Sequence, residues 1–431
     1  MGLLQRVLGL DYAEGEALTG AQRGYLRDHY LNGVFSSAAD GATGSYHNLY
    51  LLALGASNAQ IGLLATLSQA TAALAPLPGA WLTERTGAYK ASVVAPAVVW
   101  RLGILVLLFL PGLPAQAAVA AAIGYFALRN LLMAATGAPW WAMMAQVVPV
   151  SIRARYFSAR NFAGGLAVMV GTLAVGQVVT ALGFPAGYQA VFAAAAVLGM
   201  VATVFFVRVP ASAYGSLGGG AGQPARPRRS WKAIVAGGLR HGPFMRFTLT
   251  ACALNFAVTI AGPYIQLYQV RELGFAPVVV GLMASIEMVV NIVMQRVYGA
   301  RLIPRFGDYR VMRVLRMGTA LVPLAWVFVR DPLGGALASV VAGVVWSGHD
   351  LAYYNGLLAV TPQESRANDV ALHTMATSLA AAFGPALAAV TVDAVGYQAL
   401  FGASALLRFM AGLLVVLVVR DWARTGVNYG P

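Results

Sequence analysis

The feature that most constrains this chain is the recurrence of apolar stretches long enough to cross a lipid bilayer. Stretches such as Ala91–Leu110 and Tyr188–Val207 reach the roughly 20 residues that a helix needs to span the hydrocarbon core. Apolar residues make up 59% of the 431 and charged residues only 10%, whereas a soluble domain is nearer about a quarter charged. Most of the chain must therefore face lipid or other apolar helices. Lipid cannot satisfy backbone polar groups, so the spans must be helices or a closed barrel, and no alternating barrel pattern is present. The expected fold is an all-α membrane protein of about twelve transmembrane helices.

Reading apolar windows against turn signals places six spans in the first half, at Leu31–Leu54, Asn58–Thr83, Ala91–Leu110, Ala117–Met144, Phe162–Leu182 and Tyr188–Val207. Six more follow at Phe247–Tyr268, Val278–Tyr298, Val311–Val329, Leu333–Val360, Val370–Val392 and Tyr397–Val419. Met1–Tyr30 carries charges throughout and lacks the apolar core of a cleavable signal, so the first span is expected to act as the insertion signal. One set of loops receives Arg85, Lys90, Arg153, Arg155, Arg226, Arg228, Arg229, Lys232, Arg301, Arg305, Arg310 and Arg366. The opposite loops hold Arg271 beside Glu272 and Arg330 beside Asp331. The positive-inside rule then puts both termini in the cytoplasm. It also explains the net charge of +14 as a topology device, which removes the case for a nucleic-acid partner. The lone Cys252 excludes an internal disulfide and a cysteine-based metal cluster.

The stretch 210–242, with Gly218-Gly219-Gly220 and Pro224-Ala-Arg-Pro-Arg-Arg, reads as a flexible basic linker. Trp231–Leu239 within it suits a short amphipathic helix on the membrane surface. The expected organisation is a cytoplasmic segment 1–30, a six-helix bundle 31–209, the linker, a second bundle 243–420, and a cytoplasmic tail 421–431. The halves match each other. Gly44-x-Tyr46-x-x-Leu49-Tyr50 recurs as Gly262-x-Tyr264-x-x-Leu267-Tyr268, and Arg85-x-Gly87-x-Tyr89-Lys90 as Arg305-x-Gly307-x-Tyr309-Arg310. Trp140-Trp141, followed by Pro149 and Arg153, recurs as Tyr353-Tyr354, followed by Pro362 and Arg366. Gly187-Tyr188-Gln189-Ala190-x-Phe192 recurs as Gly396-Tyr397-Gln398-Ala399-x-Phe401. Four matches in one order, at equivalent spans, indicate a duplicated six-span unit with a pseudo-two-fold axis along the membrane normal.

At these residues the chain resembles the major facilitator superfamily over nearly its whole length. The family's loop after the second span reads roughly Gly-x-x-x-Asp-Arg-x-Gly-Arg-Lys. Here Glu84, Arg85 and Gly87 fit, Ala80 replaces the first glycine, and the basic pair is reduced to Lys90. In the second half Pro304 replaces the acid, while Arg305, Gly307 and Arg310 remain. The resemblance implies that these residues latch a cytoplasmic gate; the alternative is that they only fix topology. The fifth span has Gly164, Gly165, Gly171 and Gly176 but lacks the proline of the proton-coupled drug antiporters, and Gly384-Pro385 lies in the eleventh. The sugar-porter signature after the sixth span is also missing.

Charges within spans are costly and usually functional, which singles out Asp40, Arg101, Arg129, Glu287, His349, Asp350, His373 and Arg408. The resemblance implies that spans one, four, seven and ten line a central cavity while three, six, nine and twelve are peripheral. Asp40, Arg129 (followed by Asn130), Asp350 and His349 are then expected near the cavity, and Arg101 and Arg408 as structural groups held by neighbouring helices. At about 1.5 Å per residue, Asp40 and Asp350 lie roughly 15 Å from the cytoplasmic end, and Arg129 and Glu287 roughly 14–18 Å from the outer end. Close, desolvated carboxylates would suit proton binding; a fixed Asp40–Arg or Glu287–Arg129 pair is the structural alternative. Trp140, Trp141, Tyr353, Tyr354 and Asn355 are expected either to form a cavity wall or to anchor the helices at the interface. Asn32, Ser36, Ser37, Ser45, His47 and Asn48 make span one too polar for lipid. There is no phosphate-binding Gly-Lys loop, and His349 and His373 have no helical partner at metal-ligand spacing, so no cofactor or metal is expected.

The functional expectation is therefore a secondary transporter, not an enzyme, moving a small polar or anionic solute by alternating access with proton coupling. Efflux of amphipathic compounds, lipid transport and a non-transporting receptor or scaffold are the alternatives. The chain is expected to act as a monomer in a lipid bilayer. Among 29 basic residues only Lys90 and Lys232 are lysines, a usage that points to a GC-rich prokaryote and its inner cell membrane.

Overall fold

A computed structural model describes residues 18–44, 46–218, 241–361 and 366–418. Ser45, Arg226, Arg228, Arg229, Lys232, Pro362, the segment Trp231–Leu239, the side chain of Arg366 and the tail 421–431 lie outside the described residues. The described residues are helical, with no strand among them. Eight helices are long and apolar enough to cross a membrane by length and composition. One of them, Asp369–Leu417, counts as two crossings, because Gly396 breaks it with a left-handed φ of 80°. Asn58–Leu74 and Pro76–Thr86 form a further span, bent by 42° at the break before Pro76. The polar first span, Gly20–Gly44 with His47–Ala53, and Pro332–Val360 complete a set of about twelve transmembrane helices. Large apolar side chains such as Phe109, Phe328 and Val390 are exposed, as lipid-facing positions require.

Two boundaries differ from the sequence expectation. The first helix begins at Gly20 rather than Leu31, within the segment expected to precede the membrane. Thr19 and Gln22 explain the start: Gln22 N–H donates to Thr19 Oγ1 and Thr19 N–H to Gln22 Oε1, a reciprocal cap that satisfies the first turn. The second difference concerns packing. The chain divides into two compact units, one of Met1–Ala56 with Leu74–Pro224, the other of Ser57–Ala73 with Ala225–Pro431. The outer part of span two thus packs with the second unit. Asn58 accounts for it: its amide donates to Asp393 Oδ1 at 2.5 Å, while its Oδ1 accepts from Arg271 at 2.7 Å and Tyr397 at 2.9 Å.

Within each unit the repeated residues make the same contacts. In the first, Tyr50 donates to the Leu107 carbonyl at 2.6 Å and packs on Tyr188 and, edge to face, on Phe192. In the second, Tyr268 donates to the Val329 carbonyl at 3.2 Å and packs on Tyr397 and, edge to face, on Phe401. Both accepting carbonyls lie outside α-helical geometry, Leu107 in a 3-10 turn past Gly103 and Val329 in extended backbone just past the helix Leu321–Phe328. The buried tyrosines supply each a donor, and Arg330 Nη1 donates to the Val329 carbonyl as well, at 2.8 Å. Close helix approach is matched as well. A side chain at Gly41 would meet the Val168 carbonyl at 2.6 Å, and one at Gly384 would meet the Phe256 carbonyl at 2.6 Å.

Candidate functional site

Each unit contains a polar cavity inside its own helices. In the first, Asn32, Ser36 and Asp40 bring one face of span one to a cavity of about 150 Å³, shared with Arg101, Trp140, Arg160 and Thr203. The spacing of 32, 36 and 40 puts their side chains one above another, a turn apart. Arg129 Nη2 donates to Asp40 Oδ1 at 2.7 Å. The internal partner of Arg129 is therefore Asp40 rather than Glu287. Arg129 itself is held behind Asp40, and neither it nor Asn130 lines the cavity.

Arg101 departs from its expected place as a peripheral structural group: it lines this cavity. Its guanidinium donates to Ser36 Oγ and Thr203 Oγ1, both neutral oxygens. Its stem lies where a side chain at Gly199 would stand, so the long arginine reaches inward from span three through a glycine notch on span six. Arg160, to which the sequence assigns no role, does the same over Gly33 on span one. It covers the Trp140 ring at 4.9 Å and donates to the His29 carbonyl at 3.4 Å. Trp140 faces the cavity while Trp141 is exposed and packs on Phe157, as the divergence of adjacent helical residues requires.

The second unit holds a larger cavity, about 370 Å³, lined by residues of spans seven, ten and eleven, among them Asn255, His349, Asp350, Tyr353, Tyr354 and His373. His349 Nδ1 donates to Asp350 Oδ1 at 3.1 Å, and the imidazole stacks on Tyr353 with ring centres 5.6 Å apart. Tyr353 Oη and Thr248 Oγ1 engage the two ring nitrogens of His373. Among the described residues, His349 Nε2 is buried without a hydrogen-bond partner. Asn355 is directed elsewhere, donating to Asp308 Oδ1 at 2.7 Å, which removes it from the cavity wall. Glu287 packs its helix against Gly343, and no side-chain hydrogen bond or ion pair to it is present among the described residues.

Two sequence expectations change here. Asp40 and Asp350 are not desolvated; their side chains are 47% and 46% exposed, and each has a basic partner. The second change is Arg316, a charge inside the ninth span that belongs with the intramembrane candidates. It is completely buried in span nine, donates to Thr250 Oγ1 at 3.2 Å, and lies over the rings of Phe247 and Tyr353. Its Nε and Nη2 have no hydrogen-bond partner among the described residues. Arg408, in contrast, is held as expected, by Ser404 and by the carbonyls of Thr319 and Val258.

The loop motif residues cap helices. Gly87 and Gly307 take left-handed φ values of 66° and 79°, and their N–H groups close the preceding helices onto Thr83 and Ile303. Lys90 Nζ donates to the carbonyls of Val207 and Val209, both at 2.8 Å, at the end of span six. Arg85 lies over Trp81 and Arg305 over Phe306, while Glu84 and Arg310 are exposed.

Residues 30–357 match the model of the Major Facilitator Superfamily. No curated protein sequence matches the chain. Among solved structures it is similar to a point mutant of the nucleoside transporter NupG, at 12% identity and a TM-score of 0.73, covering 92% of this chain and 100% of that one. It is also similar to an auto-inhibited POT family peptide transporter, at 11% identity and a TM-score of 0.74, covering 94% and 98%. A D-xylose-proton symporter matches at 13% identity and a TM-score of 0.64, covering 93% and 98%. These likenesses carry the fold, and the family match carries the class. The chain belongs to the major facilitator superfamily, a multi-pass membrane protein whose work is transport rather than catalysis.

Proposed function

We propose that the protein is a proton-coupled secondary transporter of a small polar or anionic solute, working by alternating access. The observation that carries this reading is the surplus of guanidinium groups around Asp40. Arg101 and Arg160 line one cavity with Asp40, whose carboxylate is already paired with Arg129, and such charges need partners. An anionic group on the solute supplies the missing partner, and the planar fork of arginine suits a carboxylate or phosphate. Arg129 joins in when the solute competes with Asp40 for its guanidinium. Proton coupling rests on Asp350, whose one partner is an imidazole, and on Glu287 and Asp40 as further carboxylates. A neutralised carboxylate crosses between conformations at far lower cost than an ionised one. A proton symporter among the similar folds supports the coupling. The loop residues Glu84, Arg85, Gly87, Lys90, Arg305, Gly307 and Arg310 act at the cytoplasmic gate, with both termini in the cytoplasm of a prokaryotic cell and the protein monomeric.

Reconstituted protein tests this. Asp40→Asn, Glu287→Gln and Asp350→Asn should, in at least one case, abolish accumulation driven by a pH gradient while leaving exchange. Full pH-dependent uptake by all three variants would defeat the coupling. Reporter fusions near Gly55 and Pro185 should report the exterior, and fusions within 226–232 the cytoplasm.

A further inference from the structure

The cavity of the first unit has a charge balance that its own residues do not close. Two guanidiniums, Arg101 and Arg160, line it with the single carboxylate of Asp40, which is already bound from behind by Arg129 at 2.7 Å. Two positive charges are left over. Among the described residues, Arg101 is held by two hydroxyls and Arg160 by a carbonyl and the face of Trp140, all of them neutral. Burying an unpaired guanidinium is expensive, so the fold must gain something by keeping two at one cavity. Gly33 and Gly199 show that room has been made for them: any side chain at either position would occupy the space of the arginine.

We infer that this cavity binds a compact dianion from solution, a tetrahedral oxyanion such as phosphate or the phosphoryl end of a small monoester. This rests on the anionic-solute reading above and narrows it. Size and charge set the class. A cavity near 150 Å³ takes a group of about six heavy atoms, which admits phosphate and excludes the body of a large amphipathic compound. A single carboxylate would leave one cation unpaired, whereas a dianion neutralises both Arg101 and Arg160. Ser36, now accepting from Arg101, adds a hydroxyl donor once the guanidinium turns to the oxyanion, whereas the Thr203 hydroxyl stays donated to the Gly199 carbonyl at 3.0 Å.

The test is a thermal-stability titration of the purified full chain with phosphate at pH 8, sulfate, formate and chloride at matched ionic strength. Phosphate and sulfate should stabilise with half-saturation at least about tenfold below formate and chloride. Arg101→Gln and Arg160→Gln should each weaken the phosphate response by roughly tenfold or more, with Arg101→Lys intermediate. Should the arginine variants fail to fold, Ser36→Ala, which leaves the charge count unchanged, should still weaken phosphate by about threefold. Equal half-saturation for all four anions overturns the inference, as does a phosphate response unchanged by these substitutions. In nanodiscs, loss of phosphate binding on adding phosphatidic acid would assign the site to a lipid headgroup and overturn the solute. Phosphate binding without gradient-driven uptake would defeat the transport reading alone; gradient-driven uptake of a solute by a protein indifferent to phosphate would defeat this inference alone.

Discussion

Tyr50 and Tyr268 stand at the same place in the two units, each buried, each bonded to a carbonyl of the third span, each packed on a Tyr and a Phe. The cavities of the two units share almost nothing. The first has guanidiniums around one carboxylate; the second has two imidazoles, a tyrosine pair and one carboxylate, with Arg316 closed off behind Tyr353. A duplicated frame has been preserved where packing and backbone hydrogen bonds depend on it, and has diverged where a solvated side chain can be exchanged without unfolding the helix. That division gives the two units different chemical capacities on one architecture.

The comparison breaks most visibly at the close helix contacts. Gly41→Leu and Gly384→Leu should each destabilise by about 3 kcal/mol or more, because each drives a side chain into a neighbouring helix. Thermal unfolding in detergent checks this, and a large effect at one site only would deny the equivalence of the frames.

Next in size are the cations. Arg316→Met should be neutral or stabilising by about 1–4 kcal/mol, since it removes a buried guanidinium that has no carboxylate partner and two unpaired nitrogens. Arg129→Met should instead destabilise, because it strips Asp40 of its partner, though exposure of Asp40 keeps the loss near about 1 kcal/mol. A strongly destabilising Arg316→Met would mean that its partner is supplied in the folded protein after all.

Tyr50→Phe should cost about 1–2 kcal/mol, the penalty for taking its donor from the Leu107 carbonyl, and Tyr268→Phe about 0.5–1 kcal/mol, because Arg330 Nη1 still donates to the Val329 carbonyl at 2.8 Å. Chemical denaturation of the two variants side by side would sharpen the comparison of frames, which requires the larger loss at Tyr50. The smallest effect is expected at Lys90→Met, about 0.5–1 kcal/mol, from losing a cation at the carboxyl end of span six.

Much of the frame is legible in the sequence because its signals are local. Tyr46, Tyr50, Tyr264 and Tyr268 sit in short motifs that repeat, and Gly87 and Gly307 mark turns that need a left-handed residue. The cavity residues are legible only as charges in apolar spans. Asp40 and Asp350 stand out, yet their exposure and their partners depend on neighbouring helices. Arg101 reads as peripheral because its span is; its reach depends on Gly199, on a different helix. Arg316 lies within the ninth span, Val311–Val329, and so meets the same criterion as Arg101 and Arg408; what the sequence does not give is its complete burial over Phe247 and Tyr353. Asn58 looks like a helix start, and its three side-chain partners come from residues more than two hundred positions away.

The proposed function, taken with the contents of the two cavities, assigns the anionic solute to the guanidinium cavity and the proton to Asp350 in the carboxylate–imidazole cavity. This division is tested most directly in proteoliposomes, by measuring gradient-driven uptake and solute exchange side by side in Arg101→Gln and Asp350→Asn, with phosphate as the first labelled solute. Asp350→Asn is expected to lose accumulation but keep exchange, while Arg101→Gln loses both. Loss of exchange in Asp350→Asn with intact exchange in Arg101→Gln would contradict the division.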